Sequence, residues 1–508
     1  MNHESPMTLR KIKIFVYSFI TIYFIYFALR WHNIFTDKLS YQFNHFWKII
    51  LQNDLVFFLI ALIPLTLIFN KKVGPSKSYV ISLVFIILSF LILQKIPFLL
   101  IFIFLYLFVY IVGRFFLHLF RKKMNENEFF FYYVIGLGLV GSIIYFTESF
   151  PIHNPKTYLI FILVILFLNL KNIKEIFAEN IYLIKNNMMF NPFIAILFFI
   201  YFMLINMPEI GYDALAHHNF IASTMKWKSY WDSNVEMYVF AVMPHMIDQF
   251  YTFIYMLSDS ENLIKYFNFF SIVGSIYILK LIFKLSSINL NHYYLIVLFI
   301  LSFPITYLLA STAFIDLTLT LFLLSAFYFL LKFNKDRKII FLLYMSTFLG
   351  FSLASKAISI IYVFIFFLIS IYFLKNENIK DIIKKIIFCS IPIFFLGAYP
   401  YVNAFFLTEN PLFPLYNDVF QSSYYHHTKF NNGYSSGVSY DFIDKITFKS
   451  NKYIEGYRGS AGFTLGMAFL PLLVLNFYKK NYAAIKFYIL GAVLVILLCY
   501  GTAYLRYL

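Results

Sequence analysis

The chain has little charge. Only 13% of its 508 residues are Asp, Glu, Lys or Arg, about half the share found in soluble domains. That excludes an ordinary water-soluble globule. Cysteine is nearly absent. Cys389 and Cys499 both fall inside apolar runs, so there is no disulfide framework and no report on a redox compartment. A leader cleavage site is also missing. Arg10, Lys11 and Lys13 border the first apolar run, 12–29, but no small-residue site closes it, so it reads as a retained helix. No internal repeat is visible. The net charge of +17 is dispersed over short loops, without the basic stripe that nucleic acid requires.

What fills the chain is apolar. Hydrophobic residues make up 61% and aromatics 22%. Runs of about 18 or more apolar residues mark membrane-spanning helices. They predict an all-α polytopic membrane protein with 13 to 15 spans. The candidates are 12–29, 55–69, 79–93, 97–120, 129–146, 158–170, 190–206, 266–283, 292–310, 314–331, 339–353, 357–374, 386–406, 461–477 and 485–500. The run 158–170 is short enough to read instead as an interfacial or re-entrant piece.

Lys and Arg orient the spans. With a cytoplasmic N-terminus and alternating spans, 26 of the 41 basic residues fall in inside segments, although the two longest loops lie outside. The expected place is therefore the cytoplasmic membrane, with residues 207–265 and 407–460 forming long outer loops. Loops of that length are more than connectors. The chain divides into an N-terminal membrane region, 1–189, and a module, 190–508, that carries both loops.

The first loop opens with GYDALAHHNF. Asp213 suits two compatible roles, helix N-cap and functional acid at a membrane surface. His217 lies four residues on, on the same helical face, and His218 beside it reads as interfacial. His245 and Asp248 follow in MPHMIDQF. A metal needs three or four converging ligands, and no spacing here gathers them. No metal ligands are therefore assigned, although a divalent ion remains compatible. Asp316, near the outer end of a span, is either a hydrogen-bonded buried acid or a working one. Lys356 sits among Ala354, Ser355 and Ala357, where it either snorkels or meets an anionic headgroup. Arg458 and Arg506 also stand at outer span ends, and together the three cations could cradle a lipid phosphate. The tyrosines of the second loop, Tyr416, Tyr424, Tyr425, Tyr434, Tyr440, Tyr453 and Tyr457, suit sugar stacking or an interfacial belt. The run 410–414, NPLFP, predicts a stiff turn.

GYDALAHH, MPHMIDQFYTFIYM, STAFIDLTLTLF, LGFSLASKAISI, TENPLFPLYNDVF and the terminal LRYL come in the order seen in a known group. The chain from about 190 to 508 resembles GT-C membrane glycosyltransferases related to glycosyltransferase family 39. That group is similar to protein O-mannosyltransferases and the aminoarabinose transferase of lipid A. The resemblance implies a GT-C-like core, a polyprenyl-phosphate sugar donor and inverting transfer to a glycan, lipid or protein acceptor outside. It implies that Asp213 is the catalytic base and that Lys356 lies near the donor phosphate. Arg458 and Arg506 join Lys356 there on charge and side alone, and His217, His245, Asp248 and Asp316 are candidate supports. Two departures stand out. Ala214 follows Asp213, where many members carry a second acid, and the chain ends soon after its last span, where members continue.

Other classes give different expectations. A surface-polysaccharide polymerase or ligase would use diphosphate-linked donors with outer Arg and His, such as His426, His427 and Arg458. A transporter or flippase would bury its charges at mid-membrane, whereas these lie at span ends. A non-catalytic membrane protein is the remaining class.

Overall fold

A computed structural model describes residues 96–120, 123–187, 201–287 and 303–427, less a few positions, and isolated residues elsewhere. Spans 55–69 and 79–93 and the cations Arg458 and Arg506 lie outside the described residues, as do spans 12–29, 461–477 and 485–500 apart from a few positions. The described part is helical without strands. Among the described residues, four helices are long and apolar enough to cross a membrane, or five if one bent pair is a single span. This is the all-α membrane architecture expected from the apolar runs.

Residues 73–297 and 309–430 form one compact unit. Its helices are α1 (Ile96–Leu119), α2 (Phe130–Thr147), α3 (Pro155–Leu168), α4 (Ile173–Asn187), α5 (Asn219–Lys228), α6 (Met246–Ser258) and α7 (Glu261–Leu285). They continue with α8 (Asp316–Asp336), α9 (Ile339–Ser355), α10 (Ser359–Leu374), α11 (Ile379–Gly397) and α12 (Tyr399–Thr408). The other unit comprises 1–72, 298–308 and 431–508, and few of its residues are described.

Helix α2 is the centre of its unit. Its sequence, FFYYVIGLGLVGSIIYFT, is apolar on every side, as a fully enclosed helix must be, and most of it is buried. Its glycines admit neighbours. A Cβ on Gly136 would stand 1.8 Å from the carbonyl oxygen of Val109, and one on Gly113 1.9 Å from that of Tyr132. The backbones of α1 and α2 therefore touch, as small residues permit between membrane helices. Gly138 and Gly141 leave room for Phe351 of α9 and Met246 of α6. Gly136→Ala is expected to lower stability by about 3 kcal/mol, the upper end for overpacking. A thermal midpoint in detergent unchanged from wild type would contradict this crossing.

Outer helices show the opposite pattern. Leu159, Ile160, Leu163, Val164 and Phe167 of α3 are exposed, as are Ile387, Ile391, Phe394 and Phe395 of α11. Such an apolar rim suits lipid. Helices α11 and α12 meet at a 57° bend, where Tyr399-Pro400 opens α12 and the proline removes a backbone donor.

The two ends of α2 hold different charges. Near its start, Arg114 donates to Glu179 (3.0 Å) and Glu175 (2.6 Å) on α4. Glu128 accepts from Tyr328 (2.6 Å) and from Lys332. Near its other end stand Glu148 and the acids and histidines of the first long loop. The fold thus keeps Arg114 and Lys332 at the opposite end of α2 from Glu148 and its neighbours.

Candidate functional site

Glu209 builds the entrance. One carboxylate oxygen accepts from the backbone N–H of Gly211 (2.8 Å) and the other from that of Ala313 (2.7 Å). It ties the approach to Asp213 onto the turn before Asp316. Asn268 donates to the carbonyls of Leu309 (2.6 Å) and Thr312 (2.9 Å), fixing the same turn from α7.

The segment Ala214–His218 then forms a π turn, closed by an i→i+5 hydrogen bond and wider than an α turn. Asp213, just before it, has helical dihedrals and makes no side-chain capping bond. The capping role expected of it is corrected, because its backbone is already inside the helix. Its charge acts on His217 and Tyr238. His217 Nδ1 contacts the Tyr238 hydroxyl. His218 departs from its interfacial reading: it is buried, with Nδ1 2.6 Å from Asp248 Oδ1. The wider turn lets both adjacent imidazoles reach partners in the interior.

Asp248 is fully buried on α6. Its Oδ2, unlike Oδ1, has no hydrogen-bond partner among the described residues. Burial raises this carboxyl's pKa, but the adjacent histidines outweigh it and hold the group below the usual carboxylate range. Burial, then the neighbouring His218, pushes His217 down to about 3, so its imidazole is neutral at physiological pH. One ligand atom each from His217, His218 and Asp248 lie within 4.8 Å of one another. The linear spacing showed no such convergence.

A second pair lies beside the first. His245 Nε2 is 2.8 Å from Glu148 Oε2, and Gln249 donates to the same oxygen at 2.6 Å. Glu148 follows the last turn of α2, and its backbone carbonyl accepts from Trp231 (2.7 Å). Burial disfavours charge on His245, but the Glu148 carboxylate wins and raises its pKa. Folding therefore keeps a proton that the unfolded chain releases above its ordinary histidine pKa of about 6.5. The associated stability is present below that value and lost as pH rises through the raised one. The melting midpoint is expected to fall as pH rises from about 6.5, and less so in His245→Gln. Parallel profiles for the two proteins would exclude this pair as the cause.

Lys356 and Asp316 meet directly, Nζ to Oδ1 at 2.6 Å, and both are largely buried. The turn before Asp316 reaches the histidines: the Phe314 ring is 6.0 Å from that of His218. The Tyr251 hydroxyl donates to the Phe314 carbonyl (3.0 Å), within electrostatic reach of both Asp248 and Asp316. Asp213, His217, His245, Asp248, Asp316 and Lys356 thus gather at one end of the unit.

In the second loop, described through His427, Asn410 and Asn417 are buried and hold the chain locally. Asn410 accepts from the N–H of Leu412 (2.9 Å), and Asn417 from that of Ser422 (2.9 Å). The NPLFP turn expected there is present, with Phe413-Pro414 cis.

Sequence reasoning missed Glu148, Glu209, Tyr238 and Gln249. The one available signal for Glu148 was an acid at the end of an apolar run, in YFTESF. Compared with protein-family models, curated proteins and solved structures, the chain matches none.

Proposed function

We propose that the chain is an integral-membrane glycosyltransferase of the GT-C type, moving a sugar from a polyprenyl-phosphate donor to an acceptor on the outer face of the cytoplasmic membrane. The observation that carries this reading is the gathering of Asp213, two His–carboxylate pairs and the Lys356–Asp316 pair at one end of a largely apolar unit. Ionisable groups are costly in such a chain, and they mark function by default.

Asp213 is half-buried and acts as general base. It takes the proton of an acceptor hydroxyl as that oxygen attacks the anomeric carbon. The bond from that carbon to the donor phosphate breaks, its electron pair leaves on the polyprenyl phosphate, and the anomeric configuration inverts. Lys356 serves the leaving phosphate from its place beside Asp316. His217, His245, Asp248 and Asp316 support the site, and the aromatic ring of Tyr238 beside His217 offers a sugar-stacking face.

The test supplies the purified protein with labelled sugar on a polyprenyl monophosphate or a polyprenyl diphosphate, together with membrane glycolipid acceptors. Transfer from the monophosphate is expected. Transfer from the diphosphate alone would favour a polymerase or ligase, and transfer from neither would sink the reading.

A further inference from the structure

We propose that His217, His218 and Asp248 form a binding site for a divalent transition-metal ion of the zinc type. The inference does not depend on the transferase reading.

Three observations carry it. The first is convergence: one ligand atom from each residue falls within 4.8 Å of the others. The second is an unexplained buried group. Asp248 is fully buried, and a hydrogen bond to His218 accounts for only one of its oxygens; Oδ2 has no partner among the described residues. A buried carboxylate oxygen left bare is costly, and a His–Asp pair built only for hydrogen bonding does not explain it. A cation does. The third is construction. The ligands come from two elements packed together, the π turn and α6. The wide turn brings in two consecutive imidazoles that an ordinary α turn would splay apart. Tyr238 contacts His217 Nδ1 and orients that ring, as outer partners of metal-bound histidines do.

The donor set names the ion. Two imidazoles and one carboxylate suit zinc and its neighbours, whereas magnesium and calcium prefer all-oxygen shells. Three protein ligands with an open fourth position are the pattern of zinc sites that bind water or substrate. A tetrahedral ion with bonds of about 2 Å holds its ligand atoms about 3.3 Å apart. The 2.6 Å His218–Asp248 contact would therefore open by well under 1 Å. The Lys356 ammonium is already held by Asp316, and the ion would add positive charge where the site has little.

The experiment uses the full-length, tag-free protein in detergent. Its metal content is measured as purified; it is then stripped with chelator and titrated with Co²⁺ and Zn²⁺. About one equivalent of ion is expected, as three ligands for one ion imply. Co²⁺ should give the intense visible absorption of a low-coordinate site, and Zn²⁺ should abolish it. His218→Asn and Asp248→Asn should each weaken binding at least about 100-fold, beyond what loss of an outer partner costs. The half-buried His217→Gln keeps the test open if a core variant misfolds, and folding is checked by circular dichroism. His427→Gln, in the second loop, should bind as wild type does. A folded wild type without the cobalt band, or undiminished binding by His217→Gln and His218→Asn, would overturn the site. Sugar transfer appears in none of these readouts, so this proposal and the transferase reading fail separately.

Discussion

Under the proposed transferase reading, asparagine in place of Asp213 is expected to lower sugar transfer by about 100-fold or more, the usual contribution of a general base. The substitution keeps the shape of the side chain and removes its capacity to take a proton. Asp213 makes no capping bond to the turn that follows it, and asparagine retains its size and hydrogen-bonding shape. The expected result is a split: a much lower rate with an unchanged melting midpoint and little change in the concentration of donor needed for half-maximal rate. Initial rates across donor concentrations measure it. A variant as active as wild type would remove Asp213 from the base role. A variant that is inactive only because it unfolds would assign the residue to structure.

The second large effect concerns Lys356. Its ammonium and the Asp316 carboxylate are 2.6 Å apart and mostly shielded from water. Removing one member of a buried pair leaves the other charge uncompensated, at about 3–5 kcal/mol. Lys356→Met should therefore destabilise by that amount in denaturant or thermal unfolding. The double variant Lys356→Met/Asp316→Leu should recover most of it, because neither charge then remains. Recovered stability also opens the functional question. If Lys356 serves the donor phosphate, the double variant folds but transfers slowly, with a raised KM for the donor. If the pair is only structural, the double variant transfers as well as wild type. A single variant as stable as wild type would contradict the buried pair itself.

Much of the fold was legible in the chain. The runs 97–120, 129–146, 266–283 and 314–331 correspond to α1, α2, α7 and α8, because burial in lipid or in other helices demands unbroken apolar sequence. The run 386–406 was legible as apolar but not as bent, since Pro392 and Pro400 only permit a break that packing must realise. Residues 171–185, between two predicted spans, fall largely within α4, whose Glu179 is sequestered by Arg114. Nothing in their spacing predicted that pairing 65 positions apart.

The same distinction governs the candidate site. Composition alone determined that this chain belongs in a membrane, because 61% apolar residues and 13% charged ones cannot cover a soluble surface. The scarcity of charge also singled out Asp213, His217, His245, Asp248, Asp316 and Lys356. Only the tertiary structure decided which of them meet. It joined His218 to Asp248, His245 to Glu148 across 97 positions, and Lys356 to Asp316 across 40. The physical reason is range. Hydrophobic burial is non-directional and leaves its mark in every short window of sequence. An ion pair or hydrogen bond acts over a few ångströms, and helix packing brings its partners together from distant parts of the chain.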